Sequence, residues 1–281
     1  MEIYGPTARA SEAYKSRMQL QLHASVFEEV YRRFGRREQA LCDPVHFLYE
    51  YPDVERREVV GLISSCLAYG RVAQICKSVS NVLDRLELST RAIDDISDAS
   101  IRRRLGGFKH RFTTGGQLAD MLIGVKRVRR EFGSLENVVC DGIGDSHGAG
   151  SIVPGMARVV DEISRLSRAR LGHLLPHPAG HSACKRLNLF MRWMVRHDEV
   201  DPGGWGRIST RLLLVPMDVH MHRLGVLLGL TKCRSTNLSC SAEVTAGFAA
   251  VNPADPVKYD FALTRMSIVD PQGIQALVNM E

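Results

Sequence analysis

The sequence predicts an all-α protein, and three observations support this fold class. Apolar side chains recur every three to four residues along most of the chain, which is roughly the period of an amphipathic helix. No stretch alternates apolar and polar residues as a half-buried strand does. Glycine, proline and helix-capping residues separate the periodic stretches. The chain has 281 residues, 44% of them hydrophobic, which is enough for a sizeable core.

The first half of the chain predicts a series of helices with recognisable ends. Leu20–Arg37 has the apolar repeat of an amphipathic helix. Asp43 followed by Pro44 is typical of a capped short helix, because aspartate accepts bonds from orphan amides and proline suits the first turn. Glu55–Tyr69 is apolar on most sides and should be buried. Further helices are predicted over Val72–Leu88, Ala92–Ile96, Ala99–Leu105 and Leu118–Phe132.

A glycine-rich segment, Asp141–Pro154, predicts a flexible connection or an exposed insertion near the middle of the chain. We therefore place a soft subdivision near residue 150 within one interleaved helical body, residues 20–281, which follows a loose lead-in, residues 1–19. Leu212–Val215 is the one short stretch expected to be extended. The second half predicts helices over Met156–Leu171, Ser182–Arg196, Asp218–Leu230, Ser239–Ala250 and Pro256–Ile268.

Charge and cysteine content narrow the class of protein. The net charge of +6 favours association with polyanions such as nucleic acids. Seven scattered cysteines, an odd number, do not resemble a secreted disulfide framework, so we expect a reduced, cytoplasmic setting. The longest apolar runs, such as Leu212–Met217, are far shorter than the roughly 20 residues that cross a bilayer, and Met1–Lys15 lacks the features of a signal peptide.

An amine stands near the start of one predicted helix and a carboxylate at the start of the next. On a helical wheel, Lys185 heads a stripe with Asn188, Leu189, Arg192 and Arg196, opposite an apolar face. A solvated charged face explains this stripe equally well.

Asp218 follows Val215-Pro216 and is predicted to be the N-cap of the helix after it. Because apolar residues flank it, partial desolvation should raise its pKa, whereas the helix N-terminus should lower the pKa and keep the group ionised. Such an anion can serve beside a reacting centre, although aspartate also caps helices with no further role.

Several motifs along the chain carry a resemblance to a known superfamily. They are Asp43-Pro44-Val45, Ala68-Tyr69-Gly70-Arg71, Cys184–Arg196, Asp201-Pro202-Gly203-Gly204-Trp205, Val215–Met221 and Asp255–Phe261. From about Asp43 onward the chain resembles the helix-hairpin-helix DNA glycosylases, and more closely an uncharacterised, mainly bacterial family of unknown function within that superfamily. The resemblance implies a two-part helical bundle with a cleft between the parts and with the hairpin and catalytic helices over residues 172–230.

The resemblance also implies roles for individual residues. Asp218 matches the catalytic aspartate of the superfamily, and Lys185 is the best match for the lysine that bifunctional members use as nucleophile. The implied function is a DNA glycosylase with lyase activity that flips out a damaged base and attacks the sugar through lysine. The implied partner is DNA, and we expect a monomer.

The spacing of these residues departs from the common pattern of the superfamily. Lys185 lies five positions after Gly180 instead of directly after a hairpin, and Asp218 lies 33 positions after Lys185. An insertion over Arg196–Ile208 accounts for the extra length, and archaeal 8-oxoguanine DNA glycosylases look similar in this respect. Either an altered hairpin presents Lys185 or Lys185 is not the nucleophile.

Further residues are candidates for contacts with DNA or with an extruded base. Backbone amides of the hairpin before the helix suit a phosphate, so the DNA-binding set is Pro178, Ala179, Gly180, His181, Arg192 and Arg196. The base-pocket set is Trp193, Trp205, His220 and His222, each of which has a packing role as its alternative. Basic clusters that either contact phosphates or form solvated faces are Arg102–Arg104, Lys109–Arg111 and Lys126–Arg130.

We expect no metal and no other cofactor. Prolines interrupt the spacing of His173, His177 and His181, which argues against zinc. Cys233 and Cys240 are two cysteines short of an iron–sulfur cluster. The alternative function is a non-catalytic nucleic-acid-binding protein that keeps the glycosylase fold and uses Asp218 only as a cap.

Overall fold

The computed structural model describes residues 24–144 and 150–278, with side chains through residue 274. The predicted lead-in, residues 1–19, and the centre of the predicted connection, residues 145–149, lie outside the described residues.

The all-α class is confirmed for the described chain. Short 3-10 turns at Pro44–Glu50, Ile93–Asp95 and Thr210–Leu212 join some of the helices. The helices are α1 (24–34), α2 (Arg37–Ala40), α3 (Val54–Cys66), α4 (Val72–Leu86), α5 (Asp98–Arg104), α6 (Gly115–Phe132), α7 (Leu135–Ile143), α8 (Val153–Ser167), α9 (Lys185–Val195), α10 (Val219–Leu227), α11 (Leu238–Val251), α12 (Asp260–Val269) and α13 (Pro271–Val278).

A small β-hairpin, which was not predicted from the sequence, interrupts the helices between α5 and α6. Strand β1 (Lys109–His110) pairs antiparallel with β2 (Thr113–Thr114), and His110 stands opposite Thr113. Arg111 and Phe112 form its tip, with Arg111 in the left-handed region at φ 50°. Strands of two residues are too short to show the alternation from which a strand is recognised.

Two helices are shorter than predicted because left-handed residues stand at their ends. Cys184 has φ 48°, so α9 begins at Lys185 instead of Ser182. Arg168 has φ 58°, so α8 ends at Ser167 instead of Leu171. L-residues rarely take this conformation, and no sequence pattern marks these two.

The stretch expected to be extended, Leu212–Val215, begins in a 3-10 turn and then becomes extended at Leu213. The backbone polar groups of Val215 are satisfied by α11 side chains. Its amide donates to Thr245 Oγ1 at 3.0 Å, and its carbonyl accepts from Ser241 Oγ at 2.6 Å. This segment enters α10 and fixes the position of Asp218.

A buried carboxylate ties α3 to its neighbours in the core. Glu58 of α3 is 1% exposed, pairs with Arg129 Nη1 of α6 at 3.0 Å and accepts from the Leu135 amide of α7 at 2.9 Å. Helix α3 packs against α9, and α8 packs against α6 and α7. Within the described residues, no helix combines the length and apolarity needed to span a membrane.

Candidate functional site

An amine and a carboxylate meet where two helices begin. Lys185 is the first residue of α9, and Asp218 caps α10. Lys185 Nζ lies 3.0 Å from Asp218 Oδ2, and Asp218 Oδ1 accepts the Met221 amide at 2.9 Å. The predicted N-cap is confirmed. One carboxylate oxygen holds the helix while the other faces the amine, so the cap and the ion pair do not compete.

The Asp218 carboxyl is kept ionised at neutral pH. Its side chain is 23% exposed, and this burial raises its pKa. The Lys185 amine and the Met221 amide lower the pKa by more, and His220 adds to their effect, so that the net shift is downward. This balance agrees with the opposing effects predicted from the sequence.

Both residues open onto a cleft of about 400 Å³, which we call the Lys185 cleft. Its volume falls in the range typical of small-molecule sites. Its walls come from the 3-10 turn after α2, the segment between α3 and α4, and helices α4, α9, α10 and α12. The lining residues that matter below are Asp43, Tyr69, Gly70, Lys185, Arg192, Trp193, Asp218, His220, Asp260 and Phe261.

Asp43 places a second carboxyl group in the Lys185 cleft. It caps the 3-10 turn at Pro44–Glu50 by accepting the Val45 amide at 3.2 Å. Burial raises its pKa, against the opposing effects of the Val45 amide and of Lys185. The sequence revealed this residue as a cap but not as a cleft residue. The two aspartates therefore have pKa values shifted in opposite directions.

Arg192 and Arg196, assigned to DNA binding from the sequence, are buried at 3% exposure each. Arg192 pairs with Asp260 Oδ1 at 2.9 Å and with Asp201 Oδ2 at 3.1 Å. The alternative of a solvated charged face on α9 is thereby wrong. Burial raises the pKa of Asp260 to about 6, although Arg192 opposes this shift.

Arg196 binds three carboxylates. It lies 2.9 Å from Asp198 Oδ2 and 3.0 Å from Asp255 Oδ2, and it also contacts Asp201. A guanidinium enclosed in this way does not reach a phosphate, so the structure gives Arg196 a structural role in place of the DNA contact that the sequence suggested.

Two of the four base-pocket candidates line the cleft, and the other two lie elsewhere. Trp193 is buried at 2% exposure and lines the cleft, and the exposed His220 lines it as well. Trp205 instead packs edge-on against Phe190 at 5.2 Å and donates from Nε1 to Glu58 at 3.1 Å. His222 bonds the Cys233 carbonyl at 2.8 Å. Trp205 and His222 therefore serve packing roles outside the lining of the cleft.

The hairpin candidates lie in the loop before α9. Pro178 is buried, whereas Ala179, Gly180 and His181 are exposed. The Ala179 amide donates to His177 Nδ1 and the Gly180 amide to the His177 carbonyl, both at 3.0 Å. A phosphate that bound these two amides would have to replace His177 as their acceptor.

Most of the basic clusters are neutralised by neighbouring carboxylates. Arg102 pairs with Asp120 at 2.7 Å, and Arg127 pairs with Asp98 at 2.8 Å. Arg104 pairs with Glu87, Lys126 with Asp98, and Arg129 with Glu58, Glu55 and Asp94. In the part of the chain that the structure describes, no three histidine, cysteine or acidic side chains group as a metal site would require.

Comparison with known proteins gives one match. A family profile matches residues 43–269, most of the chain, and that family is described as "Protein of unknown function (DUF2400)". No curated protein and no solved structure matches the chain significantly.

Proposed function

The chain belongs to the family described as protein of unknown function DUF2400, and from its cleft we propose that it is a DNA glycosylase with lyase activity. One observation carries the proposal: the Lys185 amine lies 3.0 Å from the Asp218 carboxylate at a cleft of about 400 Å³. The two residues are 33 positions apart in the sequence. The resemblance to the helix-hairpin-helix glycosylases implies the same pair, with Lys185 as its best match for the lysine although it lies away from the hairpin. The net charge of +6 suits a DNA substrate.

The first step is departure of the base. The enzyme extrudes the nucleotide into the cleft, at a cost of a few kcal/mol that is smallest for a damaged or mismatched base. Asp43, whose raised pKa favours the protonated form, gives its proton to the base as the bond to the sugar breaks. Ionised Asp218 stabilises the cationic sugar that remains, because a fixed charge in a partly desolvated site acts strongly.

The second step is covalent capture of the sugar. The Lys185 ammonium passes one proton to the Asp218 carboxylate along their 3.0 Å contact, and the neutral amine attacks the sugar carbon. The bond from this carbon to the ring oxygen then breaks, a proton of the attached amine passes to that oxygen, and the adduct becomes a Schiff base. The carbon next to the Schiff base loses a proton to water as its neighbour's bond to the phosphate breaks, and the DNA strand is cut.

Borohydride trapping tests the assignment of Lys185. Incubating the protein with duplexes that carry modified bases, in the presence of borohydride, should produce a covalent protein–DNA adduct with at least one lesion. Lys185→Gln should abolish the adduct because it removes the amine that attacks the sugar. Lys232→Gln, a change at an exposed lysine, is the matched control and should trap as well as the wild type.

Asp218→Asn separates charge from capping at the second residue. Asparagine caps helices as well as aspartate does, so α10 should stay folded and the melting temperature should change little. Loss of the charge should slow excision by roughly 10²- to 10³-fold, as removal of one transition-state contact typically does. Robust trapping by Lys185→Gln, or full activity in Asp218→Asn, contradicts the proposal.

A non-catalytic nucleic-acid-binding protein is the second candidate, and the observed cap of Asp218 on Met221 favours it. In that case Asp218 serves the helix alone. DNA binding would then be indifferent to lesions, and no duplex would yield a borohydride adduct.

A further inference from the structure

A phenylalanine stands exposed at the tip of the β-hairpin. Phe112 is 69% exposed, although phenylalanine is among the residues most often buried. The other large hydrophobic side chains that are exposed in the described chain, such as Val219 and Ile268, are aliphatic. Phe112 is the one aromatic residue in this set. The edge-on contact with the His173 ring, at 6.3 Å between ring centres, leaves most of the Phe112 ring open to solvent.

The hairpin is anchored, so Phe112 projects from a fixed base. Tyr69 Oη donates to the His110 carbonyl at 2.8 Å and lies 2.8 Å from Thr113 Oγ1. The His110 ring bonds Ser78 Oγ at 2.8 Å through Nδ1 and the Tyr69 carbonyl at 3.1 Å through Nε2. Both strands are therefore tied to the segment that follows α3.

The anchored tip adjoins the Lys185 cleft. Tyr69 and Gly70 line the cleft, and the Arg111 side chain crosses Gly70. Gly70 has φ +102°, and a Cβ atom there would lie 3.0 Å from Arg111 Nη1. The hairpin therefore approaches the rim beside a residue whose backbone conformation favours glycine.

Positive charge surrounds the exposed ring. The Arg111 guanidinium lies 5.5 Å from the centre of the Phe112 ring, Lys109 of β1 is exposed, and so is Arg71, the neighbour of Gly70 in the chain. Among the ion pairs of the described residues, neither Lys109 nor Arg111 pairs with a carboxylate. The core of a protein–protein interface is depleted of charge, whereas base stacking beside a phosphate backbone uses an aromatic ring together with cations.

We propose that the Arg111–Phe112 tip inserts the phenylalanine ring into the base stack of DNA beside the Lys185 cleft, while Arg111 binds an adjoining phosphate. An apolar side chain placed between bases unstacks them and supports the bent duplex around the protein. The inference rests on the proposed function for the damaged nucleotide, but insertion itself requires no chemistry from Lys185.

The test uses a short duplex with a tetrahydrofuran abasic site, which no glycosylase step can consume, and an otherwise identical intact duplex. Gel-shift titration gives the affinity, and permanganate oxidation of a thymine opposite the abasic site reports unstacking. The wild type should prefer the abasic duplex and make that thymine reactive. Phe112→Ala should lose roughly tenfold in affinity for the abasic duplex and lose the permanganate signal, because stacking on a base is removed.

Controls separate this inference from loss of folding and from the catalytic proposal. Phe112→Ala should melt as the wild type does, because the ring is exposed, and Phe112→Trp should restore binding. Val226→Ala, a change at an exposed valine of α10, should bind as the wild type does. Lys185→Gln should keep the permanganate signal. Equal loss of affinity for both duplexes, or a wild-type permanganate signal in Phe112→Ala, overturns the inference, whereas failure of borohydride trapping does not.

Discussion

At the scale of single residues, the cleft contains two aspartates with different environments. Asp218 faces an amine and a helix N-terminus, and its pKa is lowered. At Asp43, burial raises the pKa by more than the Val45 amide and the Lys185 amine lower it, so the net shift is upward. Carboxyl groups that are driven apart in this way commonly divide into an acid and an anion at one active site. The proposed mechanism uses them in those two roles.

Asp43→Asn tests the proton donor through the pH dependence of excision. A raised pKa means that the proton is present below this pKa and is lost as pH rises through it, so wild-type activity should fall on the alkaline side. The variant keeps a capping oxygen for the Val45 amide but has no proton to give. Its single-turnover rate should be lower by roughly 10²-fold or more and should lack that alkaline fall.

Asp53→Asn is the matched control, because Asp53 also caps a helix by accepting the amide two residues on, at 3.1 Å, and does not line the Lys185 cleft. It should leave both rate and pH profile unchanged. If Asp43→Asn retains the wild-type profile, Asp43 is a cap and not the acid.

At the scale of elements, ion pairs on the polar face of α9 add to the apolar packing on its other face. Arg192 and Arg196 place two buried guanidinium groups against Asp201 and other carboxylates. These contacts fix the rotation of the helix whose first residue is Lys185. The ion pairs therefore help to position the Lys185 amine at the cleft.

Arg196→Ala should destabilise the fold. Removing this guanidinium leaves Asp198 and Asp255 without their cation and leaves Asp201 with Arg192 alone. Breaking a buried ion pair in this way typically costs about 3–5 kcal/mol. Urea denaturation should show this loss in the free energy of unfolding, and Arg223→Ala on the exposed face of α10 should show almost none. An Arg196→Ala protein of normal stability with weakened DNA binding would instead support the phosphate contact first inferred from the sequence.

Sequence periodicity predicted that α9 has a polar face and an apolar face. It did not predict that the polar face is buried against carboxylates. The carboxylates that neutralise Arg196 come from positions 198 to 255, and their approach depends on the fold of the intervening chain. Asp218 was predictable because its cap on Met221 is local. Asp43 joins the cleft through long-range packing, and the β-hairpin is too short to leave a pattern, so neither could be predicted.

At the scale of the whole molecule, the net charge is +6, but only some of the cationic side chains are free to bind an anion. Clusters that look basic in the sequence, such as Arg102 and Arg127, are paired with Asp120 and Asp98. Lys109 and Arg111 on the hairpin have no such partner among the ion pairs of the described residues. Position in the fold therefore decides which cations are free, and composition alone does not reveal it.

Duplex binding should weaken steeply with salt, since each phosphate contact contributes a slope of about −0.9 in the logarithm of affinity against the logarithm of salt concentration. Arg111→Gln should reduce the slope by about one contact, whereas Arg102→Gln should leave it unchanged. Gel-shift titrations at several salt concentrations measure both. Equal slopes in Arg111→Gln and the wild type would place the phosphate contacts elsewhere.

The burial of both tryptophans gives the protein an optical property. The chain has two tryptophans, of which Trp193 lines the Lys185 cleft and Trp205 is bonded to Glu58 in the core. Indole emission depends on the polarity and quenching groups around the ring. A molecule that enters the cleft should change the surroundings of Trp193 more than those of Trp205. We therefore expect the intrinsic fluorescence of the unlabelled protein to change when its cleft is filled.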